Sequence, residues 1–267
     1  MSSSYLKYFG FKSIPFHKSN SYLYINEQII DLEDKFKRLL DVHGVGLLIG
    51  DPGTGKTTII KHTCEKFKTP KYEFIYISET DFSRNEFYMI LADKFGVEYS
   101  SKRSILWKNL KKQIMHMHTT QGVTPVLIID EAHNLPPNFF RDFPSFLNFN
   151  MDTEDPMVVW LCGTTSLSRT LQSQHYISMN SRIRIWHTLS GIKDFEEFKI
   201  FIRDGLKEAG AEANIMTETG LSLLFQATQG RIRQVSHIIL NALQKSAQGD
   251  FQHIPDEILD EAVHESR

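Results

Sequence analysis

Apolar residues along this chain fall into two kinds of run. Residues 45–49, 72–77, 126–129 and 157–162 form short, almost unbroken apolar stretches with the length of strands buried on both faces. Between them the apolar positions recur at helical spacing: Ile30, Leu32, Phe36, Leu39 and Leu40 within 27–42, the run 57–67, Phe87, Ile90, Leu91 and Phe95 within 84–95, and Trp107, Leu110 and Ile114 within 104–117. Strands alternating with helices predict a mostly parallel sheet covered on both faces, with ligands at the carboxyl ends of its strands. Beyond about Gly191 only helical spacing remains, over 195–209, 218–228, 232–247 and 255–264, separated by Gly or Pro signals. The expected organisation is therefore an α/β domain over 1–190 and a small helical bundle over 191–267. Residues 5–25 are dense in aromatics and contain Gly10 and Pro15, which predicts an irregular segment packed on a surface. Its rings are expected to pack in the core and beside a purine rather than to form a stacking platform for bases, because no arginine accompanies them.

The first strand-like run breaks into LLIGDPGTGKTT, residues 47–58, and then into a helix-like run. Gly50, Gly55, Lys56 and Thr57 occupy every fixed position of the phosphate-binding P-loop pattern. A polyphosphate needs backbone N–H groups turned inward, and Gly50, Gly53 and Gly55 let the backbone come that close. Asp51, Pro52, Thr54 and Thr58 complete the loop. Lys56 is expected to place its charge on the outer phosphates and the Thr57 hydroxyl to ligate Mg²⁺, while the helix points its positive dipole end at the anion. The third strand-like run ends in a second element, VLIIDEAH, residues 126–133. Asp130 would hold the Mg²⁺ shell, and Glu131 would orient and polarise the attacking water. No guanine-selecting Asn-Lys-x-Asp sequence occurs, which favours ATP over GTP.

Together with these two motifs, YFGFKSIPF, SYLYI, LCGTTSL, NSRIRI and GRIRQV give the chain a family resemblance over nearly its whole length. It resembles an AAA+ ATPase, and within that class the ExeA-type and TnsC/TniB-type ATPases. The resemblance implies a P-loop AAA+ parallel sheet flanked by helices, with a smaller all-helical C-terminal lid. It implies Thr164 as a polar sensor between the nucleotide motifs and the attacking water. It further implies Arg182 as an arginine finger inserted by a neighbouring subunit, so that hydrolysis is coupled to assembly as a ring or helical filament. Arg184 is the rival, expected to point the other way if the stretch is extended. Arg233 matches the lid arginine of the Gly-x-x-Arg pattern, although Ile232 stands where many relatives have Pro, and Arg231 remains a substitute.

Composition adds constraints. The 267 residues are 41% hydrophobic and 23% charged, ordinary for a globular protein, and the net charge of −2 announces no nucleic-acid partner. Cys64 and Cys162 are expected to be buried thiols in a reducing compartment, and no apolar run approaches a membrane span, so a cytoplasmic location is expected. Charge distribution is more telling: between Glu98 and Asp130 there is no carboxylate, while Lys102, Arg103, Lys108, Lys111 and Lys112 lie there. In a helix over 104–117, Lys108, Lys111 and Lys112 are expected to share the face opposite the core and, with Lys102 and Arg103, to contact the phosphates of duplex DNA. The leading expectation is an ATP-dependent regulator of transposition that oligomerises on duplex DNA and recruits or activates a transposase or target-selection protein. The alternative is an ExeA-like secretion-assembly ATPase. Such proteins continue into a membrane span and a cell-wall-binding region, whereas this chain ends at Arg267 soon after the lid. A third possibility is an ATP-bound scaffold that works through its partner surfaces.

Overall fold

The computed structural model describes residues 4–17, 23–78, 83–210 and 215–266. Part of the aromatic opening, residues 18–22, lies outside the described residues. The elements run α1 (Ser4–Tyr8), α2 (Glu27–Val42), β1 (Gly44–Gly50), α3 (Lys56–Lys66), β2 (Tyr72–Ile77), α4 (Arg84–Lys94), α5 (Arg103–His116), β3 (Thr124–Ile129), α6 (Pro137–Leu147), β4 (Val158–Gly163), α7 (Thr165–Leu171), α8 (Ile177–Asn180), β5 (Ile183–Leu189), α9 (Phe195–Glu208), α10 (Glu218–Thr228), α11 (Ile232–Gln248) and α12 (Asp256–Glu265). They form two compact units: residues 27–51 with 56–189, and residues 1–26 with 52–55 and 190–267.

The first unit is built on a five-stranded sheet in the order β2-β3-β4-β1-β5, every pairing parallel. Strands β1, β3 and β4 are buried almost throughout, matching their unbroken apolar runs. On one face α2 buries Ile29, Leu32, Phe36, Leu39 and Leu40; Ile30, expected in the core, is half exposed, because the stripe passes through Ile29 instead. Phe36 stacks on Trp160 with ring centroids 5.2 Å apart. Gly46 makes room for this contact, since a Cβ there would lie 2.8 Å from both Leu39 and Trp160. Trp160→Ala is expected to cost about 3–5 kcal/mol, the usual range for emptying a fully buried aromatic site, as read by denaturant unfolding. A loss below about 1 kcal/mol would show that α2 and the sheet repack without it.

On the other face α4, α5 and α6 enclose an aromatic cluster in which Phe87, Tyr88, Phe139, Phe143 and Phe146 are buried. Phe139 stacks on Phe143 at 4.7 Å and meets Phe87 edge-on at 4.8 Å. The sequence pattern does not predict α6: Pro137 suits a helix's first turn, but Pro144 lies inside it. Nor does it predict β5, where buried Ile183, Ile185, His187 and Leu189 alternate with the more exposed Arg184, Trp186 and Thr188 and the register against β1 shifts at Arg184, as edge strands allow.

The second unit packs α9, α10, α11 and α12 around Phe198, Phe201, Leu206, Leu224, Ile239 and Leu243. The aromatic N-terminal segment belongs here rather than with the sheet. Tyr5 and Phe11 are buried in this core, Phe16 lies 5.2 Å from Phe201, and the backbone N–H of Lys12 donates to Ala209 O at 2.8 Å. Gly205 permits it, because any Cβ at that position would collide with the Phe16 ring. The segment also begins with the short helix α1 instead of being irregular throughout. Among the described residues no helix is long and apolar enough to cross a membrane.

Candidate functional site

The register of the sheet brings the two sequence motifs to one edge. Ile49 of β1 pairs with Gly163 of β4, and Leu161 of β4 pairs with Ile129 of β3, so Gly50 ends β1 while Thr164 and Asp130 follow the ends of β4 and β3, β4 lying between the other two strands. Gly53 and Gly55 have φ of 85° and 94°, left-handed conformations that suit glycine. Lys56 is buried, and its ammonium donates to Gly50 O at 2.9 Å and Asp51 O at 3.1 Å, so the loop's own carbonyls hold the charge over the loop. The Thr57 hydroxyl, one residue into α3, donates to Asp130 Oδ2 at 2.7 Å. Sequence motifs 73 residues apart are thus joined by one hydrogen bond.

Asp130 is itself buried, and two further donors hold it: the backbone N–H of Glu131 to Oδ1 at 2.9 Å and the Tyr76 hydroxyl to Oδ2 at 2.8 Å. Burial first, then the hydrogen bond to the Asp130 carboxylate and its charge, push the Tyr76 phenol well above its usual pKa. The pattern of apolar runs does not reveal Tyr76, because its partner is 54 residues away. Glu131 takes a left-handed φ of 49°, and its half-exposed carboxylate has Oε2 3.4 Å from His133 Nδ1 without hydrogen-bond geometry. Thr164 Oγ1 lies 2.7 Å from Ser166 Oγ at the start of α7.

A hydroxyl and a carboxylate 2.7 Å apart are hard oxygen donors, and among the described residues no three or more His, Cys, Asp or Glu side chains gather as a cage. Thr57 and Asp130 therefore fit Mg²⁺, which keeps several waters and takes further oxygens from nucleotide phosphates. Such an ion would neutralise charge on the phosphates and leave Glu131 to orient a water.

Arg182 and Arg184 lie elsewhere. In the β1–β5 register Val45 pairs with Ile183 and Gly50 with Leu189, so Arg182, just before β5, stands at the amino end of the sheet. At roughly 3.3 Å per residue that is about 20 Å from the level of the P-loop of the same chain. Arg182 pairs with Asp152 at 2.8 Å, on a turn where Asn150, Met151 and Asp152 all have positive φ. Arg184 pairs with Asp155 and donates to Val42 O at 2.8 Å. Both arginines line one cavity of about 440 Å³ beside Arg141, Asp152 and Asp155. The expectation that Arg184 points away from Arg182 is not met: both reach one cavity, Arg182 from the turn before β5 and Arg184 from the strand at the point where its register against β1 shifts. In the helical unit, Arg233 is exposed and its backbone N–H donates to Gly53 O at 3.1 Å, whereas Arg231 Nε donates to Thr228 O at 3.2 Å.

The basic segment needs correction as well. Arg103 pairs with Asp142 at 2.9 Å and lies over the Trp107 ring at 4.5 Å, so the stretch without carboxylates has one supplied by α6. Lys111 does not share an outer face with Lys108 and Lys112. Its ammonium donates to Ser145 O at 3.1 Å and Asn148 O at 2.6 Å, capping the carboxyl end of α6, and burial with the nearby Arg182 charge lowers its pKa. Lys102, Lys108 and Lys112 remain exposed.

Residues 40–171 match the family model of the AAA domain. No curated protein matches the chain. Among solved structures the chain is similar to Cdc6p from Pyrobaculum aerophilum, with 18% identity, a TM-score of 0.71, and 94% of this chain and 70% of that one covered. The ORC2 protein of Aeropyrum pernix, in ADPNP–ADP complexes, aligns at 13% identity and TM-score 0.68, over 94% of this chain and 71% of its own. The Aeropyrum pernix ORC1 protein in complex with DNA aligns at 12% identity and TM-score 0.65, over 94% and 68%. At these identities the likeness is one of fold: the chain has the P-loop AAA+ fold, a parallel five-stranded sheet flanked by helices with a helical C-terminal region. The ExeA-type and TnsC/TniB-type grouping is carried by the sequence motifs alone.

Proposed function

We propose that this chain is an ATP-dependent, DNA-binding AAA+ ATPase that assembles on duplex DNA and regulates transposition by recruiting or activating a transposase. The observation that carries the assembly is the separation of Arg182 from the chain's own P-loop by the length of β5. An arginine at that end is out of reach of its own chain's nucleotide, which supports a role at a neighbour's, with ATP as the signal that joins subunits head to tail. Thr164, after β4 and between the two motifs, is the polar sensor of this reading, and Arg233, beside Gly53, is its lid arginine. DNA binding rests on Lys102, Lys108 and Lys112, exposed in a segment with no acidic residue of its own. Single contacts of this kind are weak, and repetition along an oligomer makes them avid. The transposase partner comes from the motif resemblance.

Steady-state ATP turnover with and without duplex DNA, across a salt series, tests this reading. DNA is expected to stimulate turnover and Lys56→Ala to abolish it. Lys102→Glu, Lys108→Glu and Lys112→Glu together are expected to flatten the salt dependence of DNA affinity, by about 0.9 in log–log slope for each phosphate no longer neutralised. Indifference to DNA at low salt would sink the DNA-binding part. Electron microscopy with a slowly hydrolysed ATP analogue separates the alternatives: DNA-threaded oligomers support the proposal, and discrete rings formed without DNA point to a secretion-type assembly.

A further inference from the structure

Asp130 carries more hydrogen bonds than the two sequence motifs account for. Its Oδ2 accepts from Thr57 at 2.7 Å and from Tyr76 at 2.8 Å, and its Oδ1 accepts from the Glu131 backbone N–H at 2.9 Å. Three segments thus meet on one carboxylate: the first turn of α3, the edge strand β2, and the peptide that follows Asp130 itself. Tyr76 reaches it because parallel pairing sets Tyr76 opposite Ile128, and the Asp130 N–H continues the ladder by donating to Ile77 O at 2.8 Å. Ile75 and Ile77 face the core, so alternation turns Tyr76 to the other side, where the residue is 43% exposed while its hydroxyl stays on the carboxylate.

The three donors differ in what a nucleotide would ask of them. The Thr57 oxygen would be drawn into a metal shell, and the Glu131 peptide moves with Asp130 because it is the next residue. Tyr76 is the donor on a separate strand that belongs neither to the phosphate loop nor to the acidic motif. It is therefore the one fixed reference for the carboxylate's rotation about its side-chain torsions. We propose that Tyr76 is a positioning residue for the Mg²⁺-nucleotide site, its phenol holding the Asp130 carboxylate in the orientation that faces the metal. This deepens the function proposed above and rests on its assignment of Thr57 and Asp130 to Mg²⁺. Groups that hydrogen-bond a metal-ligating carboxylate from behind govern metal affinity by about 10- to 100-fold in other sites.

Tyr76→Phe removes the hydroxyl and keeps the ring. The test is equilibrium binding of a fluorescent ATP analogue, titrated with Mg²⁺ from a chelated start, for the wild type, Tyr76→Phe and Thr57→Ala, with thermal unfolding of each protein without nucleotide. The expected result is that Tyr76→Phe binds the analogue as the wild type does in chelator, while the Mg²⁺ concentration at the midpoint of enhanced binding rises about 10-fold or more. An unchanged midpoint, with or without a lower melting temperature, would overturn the role of Tyr76, as would equal loss of affinity with and without Mg²⁺. If Thr57→Ala shifts the midpoint and Tyr76→Phe does not, the Mg²⁺ assignment stands and Tyr76 alone is excluded. If wild-type binding ignores Mg²⁺ altogether, the metal assignment falls and takes the positioning role with it.

Discussion

Glu131→Gln is expected to lower ATP turnover by about 10²- to 10⁴-fold while leaving ATP affinity within about threefold of the wild type. The substitution keeps the side chain's shape and a hydrogen-bonding oxygen, and removes the charge that in the proposed role would polarise an attacking water. Nothing in the phosphate cradle depends on it: Lys56 is held by Gly50 O and Asp51 O, and Thr57 by Asp130. The side chain of Glu131 is half exposed at 45%, and its Oε2 lies 3.4 Å from His133 Nδ1 without a hydrogen bond, so the amide substitution breaks no hydrogen bond to that ring. Turnover above a tenth of the wild-type rate, measured by phosphate release at saturating ATP, would remove Glu131 from the role of base.

Arg182→Ala is expected to cost on the order of 10³-fold or more in turnover, the scale of losing an arginine that stabilises charge in phosphoryl transfer. In the isolated chain its guanidinium is occupied by Asp152, and its position at the amino end of the sheet keeps it from the same chain's nucleotide. The loss should therefore appear only in the assembled protein, and the wild-type rate per subunit should rise steeply with protein concentration. Arg184→Ala is the internal comparison. Arg184 lines the same cavity but pairs with Asp155 and a backbone carbonyl, so a larger loss there than for Arg182 would exchange their roles.

The chemical core was legible because its chemistry dictates residue types at fixed spacing. Glycines that must admit phosphate, a lysine and hydroxyl after them, and an acidic pair ending an apolar strand leave little freedom, and the structure joins them through Thr57 and Asp130. Helices with clean amphipathic stripes were equally plain: α2 spans Glu27–Val42 and α10 spans Glu218–Thr228, the ranges their apolar spacing predicts. Edges and long-range partners were harder to read. Strand β5 carries Arg184 and His187 in a half-buried alternation, and α6 contains a proline, so neither shows the period of its element. The electrostatics of α5 could not be read along the chain, because the groups that engage Arg103 and Lys111 are 34 to 39 residues away on or just beyond α6. Tyr76 escaped for the same reason, lying in an apolar strand that gives no sign that its hydroxyl meets Asp130.

If two copies of this chain make one hydrolytic site, two inactive variants that each keep a different half of it should restore turnover when mixed. Arg182→Ala keeps Lys56, Asp130 and Glu131, whereas Glu131→Gln keeps Arg182, so a site formed from the nucleotide motifs of the first and the arginine of the second is complete. In an equal mixture that assembles at random, turnover should recover to about a quarter of the wild-type rate, since half the sites take active motifs and half of those meet an intact finger. No recovery, with both variants shown to co-assemble, would contradict a site shared between subunits.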